Sequence, residues 1–212
     1  MQKPATIIFD FDGTIADSFE TVVSIVHDMI RPNQPVTTKE IVALRHMSLI
    51  DIAKREHIAI WRVPFLLMRG RRMMSQRLGE VKLFTGIDLV IKQLHKDGYK
   101  LLIMSSNSPV NIKKFLRSYD LAKYFTKIYG GAGLFGKARL LRRILRLNRL
   151  SAKNCVYIGD ELRDIEASKE VDMLCISVGW GFTARSKLAQ HQVLVVAQKP
   201  KELPAIIKQL AL

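Results

Sequence analysis

Asp10 and Asp12 lie in the run Asp10-Phe-Asp-Gly-Thr14, directly after the apolar residues Thr6 to Phe9. Further along, Ser105, Ser106 and Asn107 follow the apolar run Lys100 to Met104, and Gly159-Asp160-Glu161 follows Cys155 to Ile158, with Asp164 one helical turn later. Lys137 opens another helical pattern. These residue types share one use, phosphoryl transfer. A carboxylate can attack phosphorus and form an acyl-phosphate, dividing a hard hydrolysis into two easier steps. Further carboxylate or carbonyl oxygens nearby make a site for magnesium, which takes a few carboxylates and leaves room for water and phosphate oxygens. A hydroxyl and an ammonium then receive the charge spread over the equatorial phosphoryl oxygens. Gly13 permits a sharp turn that brings backbone N–H groups toward a phosphate, with Thr14 beside it.

Each piece has a plainer reading when taken singly. The Asp-x-Asp-Gly-Thr loop could be a turn with a helix cap. Asp160 and Asp164 could be a helix-start pair favoured by the macrodipole. Ser105 to Ser108 could be a capping loop, and Lys137 a surface lysine. The combination favours chemistry, because four separate strand ends supply, in order, the groups one reaction needs.

The elements that must position them read as an alternation. Buried-strand patterns at Thr6 to Phe9, Lys100 to Met104, Phe125 to Tyr129, Cys155 to Ile158 and Met173 to Val178, with a candidate edge at Gln192 to Val196, alternate with helical patterns. The helices are expected at Ile87 to Lys96, Val110 to Ser118, Lys137 to Leu147, Leu162 to Glu170 and Glu202 to Leu210. Strands alternating with helices of this length predict an α/β fold, a Rossmann-like parallel sheet with helices on both faces. Ligands of such sheets bind at the carboxyl ends of the strands, which is where the polar runs fall. Between Ser18 and Leu83 no strand is expected; that stretch reads as consecutive amphipathic helices broken near Pro32 to Pro35 and near Pro64, an all-α insertion ending at Phe84-Thr-Gly-Ile87. The expected division is therefore a core of residues 1–17 and 84–212 and a helical cap of residues 18–83.

With these motifs quoted, the chain resembles the haloacid dehalogenase superfamily of hydrolases, in its phosphoglycolate-phosphatase-like branch with a small helical cap. The resemblance spans nearly the whole chain. It implies Asp10 as nucleophile, Asp12 as general acid and base, Ser105 as the hydroxyl on the phosphoryl group with Ser106 leaving the register open by one, and Lys137 as the charge-neutralising lysine. It also implies a magnesium site made by Asp10, Asp12 through its main-chain carbonyl, Asp160 and Asp164, with Gly13, Thr14, Ser106 and Asn107 around the substrate. Dehalogenases of the superfamily lack the second aspartate of the first loop, so Asp12 argues for phosphoryl transfer, and the resemblance implies a phosphatase acting on a small phosphorylated metabolite such as phosphoglycolate. A sugar-phosphate mutase or a phosphatase of nucleic-acid ends stays open as an alternative. The cap would close over the site and select the substrate. Its Arg45 is a candidate for gripping a second anionic group, since guanidinium pairs with carboxylate in a bidentate fork.

Composition bounds the rest. Thirty-four Lys and Arg against 19 Asp and Glu leave a net charge of +15, which suits an anionic substrate without specifying one. Arg139, Arg142, Arg143 and Arg146 recur at helical spacing opposite Leu140, Leu141, Ile144 and Leu145, the pattern of a solvated helix face. A basic nucleic-acid-binding module is disfavoured, because no stacking aromatics are interleaved with the charge. No apolar run is long enough for a bilayer span and none near Asp10 suits a signal peptide, so the expected location is the cytoplasm. Cys155 and Cys175, the two cysteines, sit in apolar runs and are expected to be free thiols.

Overall fold

A computed structural model describes residues 6–32, 34, 36–47, 49–133, 136–189 and 195–210. The chain runs β1 (Thr6–Phe9), β2 (Ala16–Asp17), α1 (Phe19–Ile30), α2 (Thr38–Leu44), α3 (Leu49–Arg55), α4 (Val63–Gln76), β3 (Lys82–Leu83), α5 (Ile87–Lys96), β4 (Lys100–Met104), α6 (Pro109–Ser118), β5 (Phe125–Tyr129) and α7 (Lys137–Asn148). It continues through β6 (Cys155–Gly159), α8 (Leu162–Lys169), β7 (Leu174–Val178), α9 (Arg185–Ala189), β8 (Val195–Ala197) and α10 (Leu203–Gln209).

Six strands form one parallel sheet in the order β5-β4-β1-β6-β7-β8. Strand β1 can lie inside it because all four of its side chains are buried, as a strand covered on both faces requires. Its alternation separates two cores. Ile7 and Phe9 join Leu101, Ile103, Val156 and Ile158 on the face packed by α5, α6 and α10, while Ile8 joins Leu102, Met104 and Tyr157 on the face packed by α7. The register aligns Phe9 with Ile103 and with Ile158, so the loops after β1, β4 and β6 leave the sheet at one level. The chain moves outward from β1 through β4 to β5, then returns to the other side of β1 at β6. That reversal opens a crevice beside the end of β1.

The segment between β1 and β4 differs from the expectation in one respect. Lys82 and Leu83 form a short strand that pairs antiparallel with Ala16 and Asp17, so a two-stranded ribbon joins the two ends of the helical stretch. Two residues carry no readable alternation, and the ribbon owes its existence to tertiary pairing, including the N–H of Phe84 on the carbonyl of Ile15 at 3.2 Å. Helix α1 ends at Ile30 and α2 starts behind Thr37, whose hydroxyl and Glu40 form a reciprocal capping box. Pro64 stands in the first turn of α4, where its missing N–H costs nothing, after a break at a 3-10 turn, Ile60–Arg62. At the far edge β8 pairs with β7 over Val195–Ala197; the earlier part of the expected edge strand, 192–194, lies outside the described residues. Along α7, Arg139, Arg142, Arg143 and Arg146 are exposed while Leu141 and Ile144 are buried, and Arg142 pairs with Glu170 at 2.9 Å. No helix among the described residues is long and apolar enough to cross a membrane.

Candidate active site

Strand β1 delivers Asp10 into the crevice, where its N–H bonds the carbonyl of Ile158 at 2.8 Å and its side chain is almost fully buried. The next turn depends on Gly13, at φ +81°. A Cβ there would stand 2.2 Å from Asp160 Oδ2 and 2.7 Å from the Phe182 ring. Gly159 and Gly181 answer the same need, since a Cβ on either would meet Asp164 Oδ2 at 2.4 Å or Asp160 Cβ at 2.2 Å. Three glycines thus make the room in which two carboxylates approach the first loop.

Asp10, Asp160 and Asp164 each offer a carboxylate oxygen within 4.8 Å of the others, all buried. The Lys137 ammonium, at the start of α7, donates to Asp10 Oδ2 at 2.6 Å and also to Asp164 Oδ1. Asp160 has no such partner among the described residues: its Oδ1 accepts from the Thr14 hydroxyl at 2.9 Å and its Oδ2 from the N–H of Phe182 at 2.7 Å. Asp164 Oδ2 accepts the N–H of Glu161, which fixes the start of α8. Burial drives the Asp10 carboxyl up to about 7, against the pull of Lys137 and with the help of Asp164 and Glu161. Asp160 is pushed well above the ordinary carboxylate range by burial first, then by Glu161, Asp10 and Asp164. Burial alone would lower the lysine, yet Asp10 and Asp164 hold it above its usual value and therefore charged. Glu161 is pressed upward by burial but held low by Arg163, whose Nη2 is 2.5 Å from its Oε2, and by Lys137.

Asp12 occupies a different environment. The Ser18 hydroxyl donates to its Oδ1 at 2.8 Å, and Asn107 Nδ2 reaches its Oδ2 at 3.1 Å. Burial raises it above the usual range, opposed by those two donors. In the loop after β4, Ser105 Oγ is buried and accepts the N–H of Asn107 at 3.0 Å, whereas Ser106 Oγ is buried with no hydrogen-bond partner among the described residues.

The structure thus brings Asp10, Gly13, Thr14, Lys137, Asp160 and Asp164 into one cluster, with Asp12, Ser105, Ser106 and Asn107 at its side. Arg45 stands at the seam between the helical stretch and the sheet. Its Nη1 donates to the carbonyl of Gly181 at 2.6 Å, its guanidinium lies 4.1 Å from the centre of the Phe19 ring, and its own carbonyl accepts the N–H of Ala184. These contacts join the helical stretch to the loop after β7. Arg71 of α4 escaped the sequence reading. Its Nε donates to the carbonyl of Ser106 at 2.7 Å and its Nη2 to that of Ala132 at 3.2 Å. Within Arg69-Gly-Arg-Arg72 no local signal separates it from its neighbours, because both acceptors are main-chain atoms far along the chain. Arg163, which pairs with Glu161, was not singled out in the sequence either.

Solved structures share this doubly wound parallel sheet. A haloacid dehalogenase-like family hydrolase from Streptococcus pneumoniae superposes with a TM-score of 0.79, covering 97% of this chain and 99% of that one at 21% identity. A predicted phosphatase from Clostridium acetobutylicum gives 0.81, covering 96% and 98% at 21% identity. These likenesses establish the fold. A sequence profile described as haloacid dehalogenase-like hydrolase matches residues 7–178, and the chain belongs to that family. A protein of Synechococcus elongatus named phosphoglycolate phosphatase is 32% identical over 96% of this chain and 97% of its own. One of Listeria innocua, named pyrophosphatase PpaX, is 23% identical over 97% of each. The enzyme is a phosphatase of this family.

The raised carboxyls predict how the metal-free protein responds to pH. Asp10 titrates higher folded than unfolded, so its contribution to stability is present below about pH 4 and is lost as pH rises through about 7. Asp160 and Asp12 act in the same direction. Melting in chelator should therefore fall from pH 5.5 to pH 8 by more than the 2–4 °C that about 1 kcal/mol is worth in a chain of this size. Magnesium should restore more at pH 8 than at pH 5.5, and Asp10→Asn should flatten the chelator profile. A chelator profile that is level, or that rises toward pH 8, would contradict the electrostatics described.

Proposed function

We propose that the protein hydrolyses a phosphate monoester in two steps, with the phosphoryl group carried covalently on Asp10 and a magnesium ion held among Asp10, Asp160, Asp164 and the main-chain carbonyl of Asp12. The observation that supports this reading most is the division of labour between two aspartates two residues apart. Asp10 is aimed at Lys137 in an acidic cluster, while Asp12 is held by an amide and a hydroxyl with its carboxyl raised. Three buried oxygen-donor side chains within 4.8 Å, in room made by three glycines, fit a small hard cation. Such an ion would neutralise the carboxylates and polarise the phosphoryl oxygens.

In the first step an Asp10 oxygen forms the bond to phosphorus, and the bond from phosphorus to the ester oxygen breaks. Asp12 gives its proton to that oxygen, releasing an alcohol. In the second step the Asp12 carboxylate takes a proton from the water that attacks the phosphorus, and Asp10 leaves as a free carboxylate with inorganic phosphate. Lys137 and the Ser105 hydroxyl, with Ser106 next to it, receive charge on the equatorial oxygens. Residues 18–83 would act as the cap that limits water and selects substrate. A small phosphorylated metabolite is the expected substrate class, and phosphoglycolate, for which the Synechococcus elongatus relative is named, is the reference compound. The cytoplasm is the expected location.

With 4-nitrophenyl phosphate and magnesium, Asp10→Asn should lose turnover and form no covalent adduct. Asp12→Asn should still be phosphorylated by this activated ester but hydrolyse the adduct slowly, so acid-quenched protein gains the mass of one phosphoryl group. An adduct on Asp10→Asn, or near-normal turnover of that variant, would remove the nucleophile from the scheme. Lys137→Ala should cost about a hundredfold or more in kcat, the scale seen when one preorganised charge-stabilising donor is lost. Circular dichroism and the melt would show whether the variant is folded, and an unchanged kcat would mean that another group carries that charge.

A further inference from the structure

Between α1 and α4 lies a partly open cavity of about 270 Å3, and one end of it borders the chemical site. Asp12, Ser106 and Asn107 form that end. The walls leading away from it are aliphatic: Val22, Val26 and Met29 of α1 face Leu66, Leu67 and Met74 of α4. Charged side chains lining it among the described residues are Asp12, Arg71, Glu161 and Arg163. Glu161 and Arg163 pair with each other, and Arg71 directs Nε and Nη2 at the carbonyls of Ser106 and Ala132. Arg45, which could have met a second anion, is held by Gly181 and Phe19. Arg71 holds its guanidinium at the Ser106 end, so an anionic group lying farther along the aliphatic walls would be buried away from that cation, at a large cost. An apolar group would be taken out of water at a gain proportional to its area.

We propose that the phosphate monoester hydrolysed here carries an uncharged, apolar organic group, an alkyl or aryl chain, that lies between α1 and α4 while its phosphoryl end meets Asp10. This rests on the monoester reading given above and adds the chemistry of the substrate's other half. The continuity of the cavity with Asp12, Ser106 and Asn107 is what commits it to the substrate, since a chain attached to the ester oxygen has that volume as its route away from the acid cluster. Specificity then comes from the inner face of α4, and phosphoglycolate, too short to reach the aliphatic walls, gains nothing from them.

The test is phosphate release from ethyl, butyl, hexyl and octyl phosphate, each below its micelle-forming concentration, with phosphoglycolate alongside and magnesium present throughout. The expected kcat/KM rises about three- to fourfold per added methylene until the cavity is filled, so that octyl phosphate exceeds ethyl phosphate by a hundredfold or more. Phosphoglycolate should fall below hexyl phosphate. Leu67→Trp, which fills the aliphatic end, should reduce the octyl-to-ethyl ratio at least tenfold; the wild-type series stands independently if that variant fails to fold. Phosphate release with no dependence on chain length, or phosphoglycolate surpassing octyl phosphate, would overturn this inference alone. No phosphate from any ester, 4-nitrophenyl phosphate included, would overturn the monoester reading and this inference with it.

Discussion

The Lys137 ammonium, 3% exposed, lies between the carboxylates of Asp10 and Asp164, and the strand-end region is arranged around that contact. Removing an ion from water costs several kcal/mol, and attraction repays it only where geometry and further hydrogen bonds are good. Two unit charges about 4 Å apart attract by about 4 kcal/mol at the effective dielectric of a protein surface, so one ammonium offsets part of the burden. Asp160 receives dipoles instead, from Thr14 and Phe182. With all three aspartates ionised, three negative charges against one positive charge leave two uncompensated. Protons or a divalent cation can supply the difference, which is why burial and the neighbouring carboxylates drive Asp10 and Asp160 upward in the metal-free chain.

That constraint dictates backbone choices elsewhere. Gly13, Gly159 and Gly181 come from three separate segments of the chain, and each lacks a Cβ where one would enter the space of Asp160 or Asp164. The fully buried β1 and β6 hold Asp10 and Asp160 at one level through the pairing of Phe9 with Ile158. The helical stretch is joined to the same loops by two arginines, Arg45 on the carbonyl of Gly181 and Arg71 on that of Ser106. Contacts made to main-chain atoms fix position without committing the chain to one substrate chemistry.

The strands and helices around the site were legible because each polar run follows an apolar run of strand length, as with Phe9 before Asp10 and Ile158 before Gly159-Asp160. Lys137 was readable as the opening of a helix, although its reach to Asp10, 127 positions earlier, was not. What the sequence concealed shares one cause: it depends on pairs far apart in the chain. The ribbon of Ala16–Asp17 with Lys82–Leu83 is too short to show alternation, and Arg71 looks like any basic residue on an exposed helix until Ser106 is beside it. Arg45 was legible as a cation of the helical stretch, but its stacking on Phe19 and its bond to the carbonyl of Gly181 were not. The aliphatic cavity was hidden for a further reason, because apolar positions on α1 and α4 read as core whether or not they touch one another.

The central claim is that Asp10 bonds to phosphorus in a site completed by a divalent ion on Asp160 and Asp164. A crystal structure of the protein with magnesium and beryllium fluoride tests it directly, since trifluoroberyllate bonds to a nucleophilic carboxylate as a phosphoryl group does. The account predicts trifluoroberyllate on an Asp10 oxygen, the Lys137 ammonium against its fluorines, and magnesium coordinated by carboxylate oxygens of the Asp10, Asp160 and Asp164 cluster. Trifluoroberyllate bound to Asp12 or Asp160, or magnesium outside this cluster, would contradict it.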